Sequence, residues 1–235
     1  MKNACFLIAA VLFVLDNPSP ASATPILFDW AFNINGVIYE SCAGDALPES
    51  FDDSGFDWDS GLGVLKIVFE TVRTEDFHVV AFFDHEVDQD TATYYYEYGS
   101  ANGIESPGQS WEIDEPGYRH GDIYSNVLSG ILDNANSITE GIEDDVSMSL
   151  GWNFSLSERS SASVDFYVTQ DPSFLSNHSG FYLAQIDAIS LEALYFYSTL
   201  DIQECVPEPA PVPEPATMLL FALGSVGFLI TKNIM

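Results

Sequence analysis

The chain has 235 residues with 36 Asp+Glu against 6 Lys+Arg, a formal net charge of −30, and is 47% hydrophobic and 14% aromatic. That aromatic content excludes a disordered acidic tail, and the length suits one ordinary domain once terminal segments are set aside. So negative a surface repels phosphate backbones and anionic headgroups, which argues against nucleic-acid partners and peripheral attachment to anionic membranes.

The first predicted element is an export signal over residues 1–23. Lys2 precedes the apolar run Ala4–Leu15, then come the helix-breaking Asn17-Pro18-Ser19-Pro20 and the small-residue pattern Ala21-Ser22-Ala23. This order of basic, apolar and small-residue regions is that of a signal peptide cut between Ala23 and Thr24. The apolar run is too short to cross about 30 Å of hydrocarbon at about 1.5 Å per residue.

Residues 24–205 read as an all-β domain, an antiparallel β-sandwich with at most one short helix. The predicted strands are Ile26–Asn33, Val64–Val72, Phe77–Phe83, Thr93–Tyr98, Met148–Leu156, Val164–Val168, Gly180–Ile186 and Ser190–Ser198, with a helix over Ser125–Ala135. The clearest signal is Met148, Leu150, Trp152, Phe154 and Leu156 alternating with Ser149, Gly151, Asn153 and Ser155. Such alternation predicts one buried face and one wet face. Val164, Phe166 and Val168 resume it after a polar connector, so the two runs read as a hairpin. Cys5 falls in the signal peptide, which leaves Cys42 and Cys205. In an oxidising compartment this pair is expected to form a disulfide contributing about 5 kcal/mol, less any strain.

The composition then changes. Val206 to Pro215 holds five prolines in ten residues, which suits neither a helix nor a central strand and reads as a stiff spacer over 206–215. Residues 216–235 follow, with the uncharged apolar run Ala216–Ile230, about 23 Å long as a helix, before Lys232. No face of that run is strongly polar, unlike the helices that cover a soluble domain. Val212-Pro213-Glu214-Pro215, set directly before a hydrophobic terminal helix, resembles the PEP-CTERM sorting signal. The resemblance implies a precursor held transiently in the inner membrane by the C-terminal helix. It also implies signal peptidase and the membrane enzyme exosortase as partners during export. The pattern departs at its end: Lys232 stands alone where the family carries a cluster of arginines, the usual positive-inside stop. Gly151–Leu156, Gly180–Leu183, Leu194–Leu200 and Ser110–Tyr118 are similar to stretches of PEP-CTERM ectodomains, which implies the fold and no particular activity.

Tests for chemistry give little catalysis. The chain contains no G-x-S-x-G elbow, and His85-Glu86 lacks the second histidine of a zinc-protease motif because position 89 is Gln. Hard oxygen ligands beside glycines suit calcium. Asp53, Asp57 and Asp59 crowd a predicted loop near Gly55, Gly61 and Gly63, while Asp84, Glu86 and Asp88 alternate at a strand end. Neither run has EF-hand spacing; counted from Asp57, position six is Leu62 and position twelve is Val68. Tyr94, Tyr96 and Tyr98 would project from one strand face, where exposed rings could stack on pyranose sugars and buried ones would be core.

With the resemblance, these readings give an exported protein of the cell surface or extracellular matrix, structural or interactive in role, without catalysis and without nucleic acid. If the domain takes a matrix polysaccharide, a neutral one is the class expected. A calcium-assisted glycan-binding module is the alternative, and a hydrolase the third reading.

Overall fold

The computed structural model describes residues 24–43, 46–88, 94–174 and 180–204. The predicted signal peptide, the spacer, the C-terminal apolar segment and Cys205 lie outside them. The chain opens with β1 (Ile26–Ile34), which turns through Asn35-Gly36 into β2 (Val37–Glu40). Asn35 and Gly36 both have positive φ, 53° and 83°, the two-residue hairpin turn that Asn-Gly favours. Next come β3 (Phe51–Asp57), β4 (Leu62–Glu70), β5 (Glu75–Glu86), β6 (Glu97–Asn102) and β7 (Gln109–Asp114). The short helix α1 (Ile123–Ser129) precedes β8 (Ser147–Leu156), β9 (Ser161–Thr169), β10 (Tyr182–Asp187) and β11 (Ala193–Gln203).

These strands build two antiparallel sheets. One has the order β2-β1-β5-β8-β7, and the other β3-β4-β9-β11-β10-β6. The all-β sandwich expected from the alternating runs is thus the fold observed. Its interior is aromatic: Phe32, Phe83, Phe166 and Phe196 are fully buried, with Phe83 meeting Phe196 edge-on at 5.1 Å between ring centroids. Each such side chain taken from water contributes about 1.5–3 kcal/mol.

Three local expectations change. The β8 and β9 runs are not a hairpin: β8 pairs with β5 and β7, whereas β9 pairs with β4 and β11. The chain crosses between the sheets at residues 157–160, and the two apolar faces meet across the core instead of sharing one sheet surface. Nor is the polar face of β8 uniformly wet. Ser147 and Ser149 are fully buried, and their hydroxyls donate to the carbonyls of Asp114 and Ala81, both at 2.9 Å. That face is roofed by the α1 region, whose Ile123, Val127 and Leu132 pack on Ala31, Val80 and Phe82. Asn33 fixes the roof by donating from Nδ2 to the carbonyls of Val127 and Leu128 at 2.9 and 3.1 Å. Finally, the acidic stretch around Asp53 and Asp57 is not a loop but the edge strand β3, bulged between Asp52 and Gly55.

Candidate functional site

At one end of the roofed sheet lies a cleft of about 440 Å³, and five separate segments line it. The end of β5 supplies Glu86, and the approach to β8 supplies Asp144 and Asp145. Phe28 sits in the bulge of β1, where the register with β5 shifts between Leu27 and Asp29. Bulges re-aim side chains, and Phe28 is 61% exposed. Tyr94 and Tyr95 come from a single 3-10 turn, Tyr94–Tyr96, ahead of β6. That turn is set by paired backbone bonds between Glu97 and Asp144, 3.2 and 3.1 Å long, and by the Ala188 N–H donating to the Tyr96 carbonyl at 2.8 Å.

The fifth segment is a loop organised by one carboxylate. Glu115 accepts hydrogen bonds from the backbone N–H groups of Gly117, Tyr118, Arg119, His120 and Gly121, at 2.7–3.2 Å. Burial opposes its charge, but those donors outweigh burial and hold its pKa below the usual value. Gly121 passes so close to the Glu115 backbone that a Cβ there would collide with it. The loop is thereby fixed with Tyr118 and Arg119 on the cleft.

The walls are aromatic. Tyr94 and Tyr95 lie 4.1 Å apart between centroids, Phe28 and Tyr118 meet edge-on at 6.4 Å, and the Arg119 guanidinium stands 5.8 Å from the Tyr95 ring centre. The floor is acidic and poorly compensated. Register places Asp29 directly opposite Asp84 across β1 and β5. Asp84, 2% exposed, has its pKa driven well up by burial and then by the charges of Asp145, Glu86, Asp29 and Glu97. Asp145 is pushed up to about 7 by burial and by Glu86, Glu115 and Asp144. Burial also raises Glu86. Behind the cleft, burial lifts Glu97 to about 8, although the Val87 N–H and the Gln185 side chain donate to it.

The structure therefore unites part of each predicted site. Glu86 lines the cleft with Tyr94, whereas Asp84, two residues earlier on β5, and Asp53, Asp57 and Asp59 are not in its lining. Asp53 accepts from the Trp58 indole at 2.8 Å, and Asp57 from the Ser60 hydroxyl at 2.8 Å and the Asp59 N–H at 3.1 Å. His85, between Asp84 and Glu86, points the other way and reaches the Gly61 carbonyl at 3.4 Å. Asp88 is buried just beyond β5. The tyrosines do not form a strand-face row: the 3-10 turn breaks it, Tyr96 is exposed outside the cleft lining, and half-buried Tyr98 lies on β6 opposite Ile186. Cys42 is exposed in the turn after β2, while Cys205, Ala21, Ala23 and Val212–Pro215 fall outside the described residues; Thr24 is the first described residue.

Sequence reasoning missed Phe28, Glu115, Tyr118, Arg119, Asp144 and Asp145. The available signal was the polar turn Gly117-Tyr118-Arg119-His120-Gly121, which carries one of few basic residues in an acidic domain. A second missed group is Glu112, Asp114 and Asp122, which bring one carboxylate oxygen each to within 4.8 Å of one another, close enough to share a cation. Glu112 accepts from Asn126 and from the Asp133 N–H, and Asp114 from the Asp122 N–H at 3.0 Å.

Fold and site together define an acidic β-sandwich with an open aromatic and acidic cleft. The PEP-CTERM protein-sorting motif matches residues 211–232, as the resemblance implied, so the chain carries the signal of an exosortase substrate. The motif supports export through a membrane-anchored precursor. Among the described residues, no helix is long and apolar enough to cross a membrane; the segment expected to do so lies outside them. No curated protein and no solved structure matches the chain.

Proposed function

We propose that this protein is an interaction component of the cell surface or extracellular matrix, and that it engages matrix glycan through the aromatic and acidic cleft. The observation that carries the reading is the pairing of exposed rings with carboxylates in one concavity. Phe28, Tyr94, Tyr95 and Tyr118 are 39–61% exposed, unlike core aromatics, and lie beside Glu86, Glu115, Asp144 and Asp145. Ring faces stack on the apolar faces of pyranoses, and carboxylates accept from sugar hydroxyls. Calcium would act beside the cleft, at Glu112, Asp114 and Asp122, bracing the loop that bears Tyr118 and Arg119. Calorimetric titration with oligosaccharides tests the reading. The double variant Tyr94→Ala, Tyr118→Ala should weaken binding about tenfold or more, and absence of binding to every sugar tried would overturn it.

A hydrolase reading draws support from one observation, an Asp145 carboxyl raised to about 7 in the same cleft as Glu86. A carboxyl raised in this way has the property of a general acid on a glycosidic bond. Release of new reducing ends from a bound polysaccharide, lost in Asp145→Asn, would establish it.

A further inference from the structure

We propose that the sugar recognised by the cleft bears a primary amine, its ammonium group held by the lining carboxylates of Glu86 and Asp145 while its ring lies against the aromatic walls. This rests on the glycan-binding reading and names the substrate class.

Charge balance leads to it. Four carboxylates line the cleft against one guanidinium, that of Arg119. Arg119 lies over the Tyr95 ring, and the ion pairs formed among the described residues are Arg73 with Glu75 and Arg159 with Glu158. The cleft acids thus have no cation bound to them. Asp29 and Asp84 stand directly opposite across two strands, a pairing that disfavours ionising both. Asp29 has partners, the Ser41 hydroxyl and the Trp30 N–H. Asp84 is 2% exposed as a residue and accepts no hydrogen bond among the described residues, and it is not one of the residues lining the cleft. Asp145 leaves its Oδ1 buried without a partner as well. The cleft is short of donors, and a cationic ligand meeting the carboxylates that line it would supply them.

The spacing of the acids selects the kind of cation. Calcium takes six to eight oxygens at about 2.3–2.6 Å, so its ligands must converge. Among the described residues, the one group of acids converging within 4.8 Å is Glu112, Asp114 and Asp122, which does not line the cleft. An ammonium, unlike calcium, can be held by two carboxylates, and it carries an organic body. Aromatic faces favour such a cation and the ring attached to it, and the Phe28–Tyr118 and Tyr94–Tyr95 pairs offer those faces.

Full-length protein is titrated calorimetrically, in chelator and near neutral pH, with a glucosamine tetramer, the N-acetylglucosamine tetramer, a glucose tetramer and tetralysine. The glucosamine tetramer should bind at least about tenfold more tightly than the other three, with an advantage that shrinks in high salt. Glu86→Gln with Asp145→Asn should abolish that preference while preserving a folded, more heat-resistant protein. Tyr118→Ala should weaken all sugars alike. Equal affinity for the amine and N-acetyl tetramers overturns the amine assignment and leaves glycan binding standing. Tetralysine binding as tightly as the glucosamine tetramer overturns it in favour of basic peptides. Failure of every sugar removes both readings.

Discussion

Replacing Glu97 with glutamine should flatten the pH dependence of stability. Glu97 is 1% exposed, and burial raises its pKa from an ordinary 4.5 to about 8. In the unfolded chain the same carboxyl ionises near its ordinary value. Between these limits the folded state holds a proton that the unfolded state has lost, so stability falls as pH rises. Each pH unit in that window removes about 1.4 kcal/mol, roughly 5 kcal/mol in all once pH passes the folded value. Below about pH 4.5 both states are protonated and the group makes no difference. Urea denaturation of both proteins, with chelator present, reads the effect from about pH 5 to about pH 9. Glutamine also rearranges the contact with Gln185, whose Nε2 donates to Glu97 at 2.5 Å. That change is a constant offset of about 1 kcal/mol, which pH does not move. The wild type should therefore lose several kcal/mol relative to the variant across the window. Parallel profiles for the two proteins would refute the buried, protonated Glu97.

Three further outcomes are expected. Replacing Pro213, Glu214 and Pro215 with alanine should leave a larger, unprocessed form in the membrane fraction on immunoblots; unchanged processing and delivery would contradict sorting by the motif. Glu115→Gln removes the charge from an acceptor serving five backbone N–H groups, which should cost about 2–3 kcal/mol and speed tryptic cleavage after Arg119. A loop equally resistant in the variant would show that Glu115 does not organise it. Calcium, more than magnesium, should raise the melting temperature, and Glu112→Gln with Asp114→Asn should cancel the rise. Persistence of the rise in that variant would move the cation elsewhere.

Periodicity made much of this fold legible, and its limits are physical. The alternation from Met148 to Leu156 identifies a strand and its core face, yet it does not say which sheet the next strand joins. That is why β8 and β9 read as a hairpin when they lie in different sheets. Strand β3 escaped notice because Asp52, Asp53 and Gly55 interrupt its pattern, and its few apolar contacts come from Phe51 and Phe56. Tyr94–Tyr96 looked like a strand because tyrosine favours strands, but backbone bonds around Glu97 and Asp144 impose a turn. The cleft was only half visible for a related reason. Glu86 and Tyr94 were singled out from local runs, whereas Phe28, Glu115 and Asp145 reach it from segments distant in the chain. No local spacing records such a meeting.

The position of β11 governs the order in which the domain can be completed. Every strand of the five-stranded sheet has appeared by Leu156, so that sheet can form while the remainder of the chain is still crossing the membrane. The six-stranded sheet stays in two halves, β3-β4-β9 and β10-β6, until Ala193–Gln203 enters between them. The last strand translocated is therefore the keystone, and the proline-rich spacer begins three residues after it. A chain stalled before that point would expose two open sheet edges and the aromatic floor between them. The sorting motif lies behind the keystone in the chain, so it emerges only after every strand of the described sandwich.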